Sequence, residues 1–120
     1  MAVQSRTLRG NYAARQDKIQ PIMIDPVCSL PIPALPAGRT WTEREYQRWQ
    51  ELWSSGAANL WSEDVVGVVA VFVVLESQFL NGRISAGVLG EFRQIAEQLA
   101  LTPASRIRLN IRVREADAND

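Results

Sequence analysis

Ser62-Glu63-Asp64-Val65-Val66-Gly67-Val68-Val69-Ala70-Val71-Phe72-Val73-Val74-Leu75 is the stretch on which the fold turns, because its composition and its context point in opposite directions. Residues 65–75 are rich in β-branched side chains, which favour strands. They do not alternate with polar residues, so a strand here would have to be buried on both faces. Ser62 is a good helix N-cap, and Glu63 and Asp64 stand where the helix dipole favours acids. The apolar pattern continues to Leu80 and stops at Asn81-Gly82. These boundaries predict a helix that is apolar on nearly every side. The run 65–75 is far short of the roughly 20 residues that span a bilayer, so such a helix must be enclosed by protein.

The segments on either side carry clearer signals. Upstream, Thr42 and Glu45 have the spacing of a capping box, with Trp41 and Tyr46 at the positions of a hydrophobic staple. Tyr46, Trp49, Leu52 and Trp53 then form one apolar face, and Gly56 is a natural stop, so a helix is predicted over 43–54. Downstream, Val88, Leu89, Phe92, Ile95, Ala96 and Leu99 recur at helical spacing. Glu91, Arg93, Glu97 and Gln98 fall on the opposite side. Thr102 followed by Pro103 begins a further helical turn, since Thr caps well and Pro is favoured at the first helical position. Beyond it Ile107, Leu109, Ile111 and Val113 alternate with Arg106, Arg108, Asn110 and Arg112, a period of two that suits a half-buried strand. Helix and strand both remain open after Arg106.

Five of the six prolines lie between Pro21 and Pro36. Proline at that density removes backbone donors and favours extended geometry. Residues 21–36 would reach roughly 50 Å at about 3.1 Å per residue. Ile22, Ile24, Val27, Leu30, Ile32 and Leu35 make this arm too apolar for an idle linker, and it is expected to lie on a surface, a neighbouring subunit's included. The chain thus divides into an extended basic, Pro-rich arm (1–40), a helical oligomerisation core with a basic C-terminal segment (41–114) and an acidic tail (115–120). The fold class is mainly α: a small bundle of about three helices, the arm, and a short basic C-terminal helix or strand. A core confined to 41–113 is small enough to need help from metals, disulfides or partners. With no histidine and one cysteine, self-association is the remaining route. Val65, Val66, Val69, Phe72, Val73 and Leu75 are the candidate subunit interface, with ordinary core as the competing reading.

The formal net charge is zero, but the charge is segregated. Arg6, Arg9, Arg15 and Lys18 stand at one end and Arg106, Arg108, Arg112 and Arg114 near the other, with an acidic middle between them. This pattern suits an anionic partner, and these eight residues are the candidate contacts to it. For the C-terminal four, solvated surface or salt bridges compete with that reading. Trp41, Trp49, Trp53 and Trp61 could stack on bases, but aromatics at helical spacing are more often core.

Catalysis has little to work with. The chain lacks histidine, the commonest general base and metal ligand. The lone Cys28 can form neither an internal disulfide nor a zinc site, and no phosphate-binding G-x-x-x-x-G-K-[ST] loop occurs. No cofactor and no enzymatic activity are expected. The first ten residues lack a signal-peptide core, so a soluble intracellular protein is expected.

Gln94-Ile95-Ala96-Glu97-Gln98-Leu99-Ala100-Leu101-Thr102-Pro103-Ala104-Ser105-Arg106-Ile107-Arg108-Leu109 resembles the close of the last long helix in phage terminase small subunits, the branch common in actinobacterial phages. There an L-G-L-T-P-x-x-R-x-R-L sequence is typical. Leu99, Leu101, Thr102, Pro103, Arg106, Arg108 and Leu109 fit it, and Ala100 replaces the glycine. The proline-rich lead (33–38) into Trp41, Trp49 and Leu52-Trp53-Ser54-Ser55 is also similar, and the resemblance covers roughly 31–114. The chain departs from the pattern in three places: the apolar run 65–75 replaces a more charged helix, the 81–85 loop lacks an Asn-Pro, and the basic arm is sparse. The resemblance implies a homo-oligomeric ring in the host cell cytoplasm that recognises double-stranded viral DNA. It also implies hand-over of that DNA to the large terminase subunit, which carries the ATPase and nuclease. The rival readings are a phage adaptor or assembly factor that never touches DNA, and a transcriptional regulator, which lacks a recognisable helix-turn-helix.

Overall fold

The computed structural model describes residues 20–83 and 85–115. Thr42 and Glu45 close the capping box in both directions. The Thr42 N–H donates to Glu45 Oε1 at 3.0 Å, and the Glu45 N–H donates to Thr42 Oγ1 at 3.1 Å. Helix α1 follows over Glu43–Trp53 and buries Trp49, Leu52 and Trp53. Tyr46, expected on that face, is instead exposed. A 3₁₀ turn, Gly56–Leu60, leads to Ser62, whose hydroxyl accepts from the Asp64 N–H at 3.3 Å. The start expected there is a single 3₁₀ turn, Glu63–Val65, which runs directly into helix α2, Val66–Leu80. The β-branched run is therefore helical. It ends at Asn81, with Gly82 in the left-handed region at φ 74°.

Helix α3 spans Ala86–Gln98 and is capped by Ser85. Phe72 of α2 stacks on Phe92 of α3 at 4.5 Å between centroids. Trp53 packs edge-on to Trp61 at 5.0 Å and lies 5.6 Å from Trp49. Across the α1–α2 seam, Arg48 grips Glu76 with two bonds, Nε to Oε1 at 2.7 Å and Nη2 to Oε2 at 3.2 Å.

The close of α3 has a backbone explanation. The Leu101 N–H donates to Ala96 O at 2.9 Å and the Ala100 N–H to Glu97 O at 3.1 Å, the two bonds of a Schellman cap. That cap places Ala100 at φ 60°, a conformation in which a Cβ costs about 1–2 kcal/mol and glycine nothing. The glycine typical of the L-G-L-T-P motif suits this geometry. Thr102 and Ser105 then cap helix α4, Pro103–Arg108, with Pro103 in the first turn. We expect Ala100→Gly to stabilise the protein by up to about 1 kcal/mol, because the relieved strain exceeds the roughly 0.8 kcal/mol that one buried methyl contributes. A rise of several degrees in the melting temperature checks this.

After Arg108 the chain turns at Asn110, again left-handed at φ 57°, into strand β2, Ile111–Val113. Helix and strand thus both occur beyond Arg106, in succession. Ile107, expected to be half-buried in a strand, sits on α4 and is 80% exposed. Strand β2 pairs in parallel with β1, Ile22–Ile24, in the register Ile22↔Ile111, Met23↔Arg112, Ile24↔Val113.

That pairing corrects the expected extent of the packed region, which begins at Ile22 and not at Trp41. Ile22 and Ile24 are buried with Ala100 and Ile111 in a second small cluster. Cys28 lies in the main core, with Leu30, Ile32 and Leu35 packed against it. Prolines leave carbonyls with few backbone donors nearby, and the tryptophans supply them. The Trp49 indole N–H donates to Pro33 O at 2.7 Å and the Trp41 indole to Pro36 O at 3.0 Å. The Asn59 amide reaches Asp25 O and Val27 O at 3.2 and 3.0 Å. Gly56 is required beneath this crossing, since a Cβ there would lie 2.8 Å from Asp25 O. The described part of the arm is extended, as expected, and it is bound to its own chain's core.

Candidate nucleic-acid interface

Arg6, Arg9, Arg15 and Lys18 lie outside the described residues. The C-terminal four are separated by the structure into unlike roles. Arg106 is half-buried, and its Nε donates to Ala100 O at 3.0 Å, which ties α4 to the Schellman cap. Arg114 places Nη1 2.8 Å from Asp25 Oδ1, with both side chains more than half exposed. Its backbone N–H donates to Ile24 O at 2.8 Å. Arg108, in the last turn of α4, and Arg112, in the middle of β2, are exposed. Among the described residues neither has an ion-pair partner. These two guanidiniums remain available for bidentate contact with a phosphate. Arg83 and Arg93 are exposed as well. Neither stands in a basic cluster of sequence, so charge patterning alone does not find them.

The residues read as a subunit interface occupy different depths. Val69, Phe72 and Val73 are buried within this protomer, while Val65, Val66 and Leu75 are half-buried. The outward side of α2 carries Val68, Val71 and Phe79, the last two about half exposed. With Leu75 these stand at spacings of three, four and four residues, which is one helical face. The tryptophans belong mainly to the core: Trp49, Trp53 and Trp61 are buried. Trp41 is half-buried under the Arg39 guanidinium, 4.6 Å from its ring centroid.

A groove of about 480 Å³ between α1 and α2 is lined by Arg48, Glu76, Glu45 and Ser77 among others. Arg48, Glu51, Glu76 and Glu45 on its walls are already ion-paired. Burial would raise the pKa of Glu45, but the Thr42 N–H, the Ser77 hydroxyl and Arg39 together bring it below the ordinary 4.5. A depressed folded-state pKa contributes stability above the ordinary value and loses it as pH falls through the lowered one. Glu45→Gln should therefore flatten the acid side of the stability–pH curve, as measured by urea unfolding at pH 7 and pH 3. Among the described residues no group of three or more Asp, Glu, Cys or His is placed to hold a metal ion. No helix among them is long and apolar enough to cross a membrane.

A mostly helical domain whose Arg108 and Arg112 have no ion-pair partner among the described residues, and which carries an apolar outer helix face, has the character of a small binding protein. Residues 9–120 match the family model described as phage terminase small subunit, and the chain belongs to that family. Its members are non-catalytic, and their role lies in viral DNA packaging. No curated protein and no solved structure matches the chain.

Proposed function

We propose that this chain recognises double-stranded viral DNA and recruits it to the large terminase subunit to start genome packaging, working as a homo-oligomeric ring in the host cell cytoplasm. The observation that carries the reading is the family match over residues 9–120, joined to two exposed arginines, Arg108 and Arg112, without ion-pair partners among the described residues. Arg6, Arg9, Arg15 and Lys18 supply the other cations, and Arg106 and Arg114 border the C-terminal patch. A monomer with so few cations binds DNA weakly, and a ring multiplies them. Half-buried Val65, at the turn before α2, and Val66 and Leu75 of α2 take part in the subunit contact, together with Val68, Val71 and Phe79. Val69, Phe72 and Val73 back that helix from inside.

Titration of the intact protein with packaging-site DNA and with unrelated DNA tests the reading. Binding to both with preference for the first is expected. An assembly that binds neither at low salt would leave the DNA-free adaptor as the better account.

A further inference from the structure

Among the described residues, one edge of the two-stranded sheet is left without backbone partners, and a mostly apolar groove reaches Ile111 of its second strand. In the parallel register, Ile22 and Ile24 direct their N–H and C=O groups toward β2. They meet Asn110 O, Arg112 and the Arg114 N–H. The N–H and C=O groups of Ile111 and Val113 therefore point away from β1, and among the described residues nothing bonds them. The groove, about 420 Å³, is mostly apolar, with Leu60, Trp61, Leu99 and Ile111 among its walls and Asp64 and Gln98 at them too, and no residue of β1 lines it. Ile111 is the β2 residue on its walls. Paired residues of a parallel ladder share a face, so Ile111 and Val113 lie on the face of Ile22 and Ile24, Ile111 buried there and Val113 exposed at its end. Arg112 faces outward beside Met23, and both are exposed.

We propose that β2 accepts an added strand from a partner protein, an extended segment in which apolar residues alternate with acidic ones. Backbone pairing with Ile111 and Val113 supplies the docking, as in other strand additions to an open sheet edge. The apolar side chains of the segment fill the groove on the inner face. Its acidic side chains lie across from Arg112 on the outer face, where opposite charges attract and like charges repel. Arg108 and Arg114 add to the positive field at either end of the strand. The inference rests on the reading of this chain as a recruiting subunit, since it gives that subunit a docking edge for the protein it recruits to. Arg112 is also among the cations open to phosphate, so strand addition and DNA compete for it.

The full-length chain, without DNA, is titrated against fluorescein-labelled Glu-Val-Glu-Leu-Glu-Val and against the same peptide with Lys for Glu. Anisotropy and amide exchange at Ile111 and Val113 are followed. The acidic peptide is expected to bind and to slow exchange at both amides. Arg112→Glu should reverse the preference between the two peptides, a change of about tenfold in their affinity ratio. Val113→Pro removes one outward N–H and none of the β1 ladder, so it should abolish peptide binding with the near-UV spectrum retained. If Val113→Pro disturbs the fold, the charge reversal at position 112 still decides. Absence of peptide binding, or binding indifferent to Arg112→Glu, overturns the proposal. Protection of the same amides by DNA alone would assign the edge to nucleic acid and overturn it too. So would concentration-dependent protection without peptide that disappears on truncation after Arg114, which would assign the edge to a second copy's tail. Because DNA is absent from the peptide titration, its failure leaves the DNA-recruiting reading untouched.

Discussion

Val69→Asp is expected to unfold the protein, whereas Val71→Asp, two residues along the same helix, is expected to leave the protomer folded and break its assembly. Val69 is fully enclosed in its own chain. A carboxylate there loses water and gains no partner, at a cost on the order of 5 kcal/mol. The whole stability of a small domain is roughly 5–10 kcal/mol. Val71 is about half exposed, on the outward face with Val68, Leu75 and Phe79, so an acid there changes protomer stability by only about 0.5 kcal/mol. In the assembly it would bury an unpaired charge between subunits. Circular dichroism separates the folded from the unfolded variant, and light scattering reads the mass against the 13.4 kDa chain. A wild type that scatters as one chain would overturn the ring. An unchanged mass for Val71→Asp would place the subunit contact on another face.

The contrast between positions 69 and 71 also shows where sequence reading stops. Local signals worked: the Thr42–Glu45 box, Ser62, Asn81-Gly82 and Thr102-Pro103 each mark a helix end that the structure contains. They work because a cap satisfies backbone groups a few residues away, and its spacing is written in the chain. A helix apolar all round gives no such information about which side faces its own core. The β1–β2 pair was equally hidden. Its strands are three residues each and about ninety residues apart, and parallel pairing of remote segments leaves no turn signature. The prolines of 21–36 announced extended backbone correctly. That the arm belongs to its own core depends on the Trp41 and Trp49 indoles reaching proline carbonyls, contacts that composition cannot locate. Likewise charge patterning counted four C-terminal arginines as equals, although Arg106 holds a carbonyl and Arg114 a carboxylate.

Those unlike roles make the DNA prediction specific. Removing residues 1–19 deletes Arg6, Arg9, Arg15 and Lys18 and stops short of Ile22, the first buried residue of β1. The variant should keep its fold and its mass, whereas removal of residues 1–40 would take away Ile22, Ile24 and Cys28 and unfold the core. Each phosphate that is no longer neutralised lowers the slope of log K against log salt by about 0.9. The four cations then account for up to about 3.6 in slope for each subunit bound to DNA, or roughly a hundredfold in affinity across a fourfold change in salt. Replacing Arg108 and Arg112 together by Gln removes two accessible cations and should flatten the slope by up to about 1.8. Arg106→Gln should instead lower thermal stability with little change in slope, because its guanidinium is held at the Ala100 carbonyl. Arg114→Gln should have a smaller effect on slope than the Arg108 and Arg112 pair, since Asp25 already offsets part of its charge. Titrations at about 50 and 200 mM salt with all four variants read these differences directly. If removal of residues 1–19 and the Arg108–Arg112 replacement both leave the slope unchanged, DNA binding rests on other cations, with Arg83 and Arg93 the next to replace.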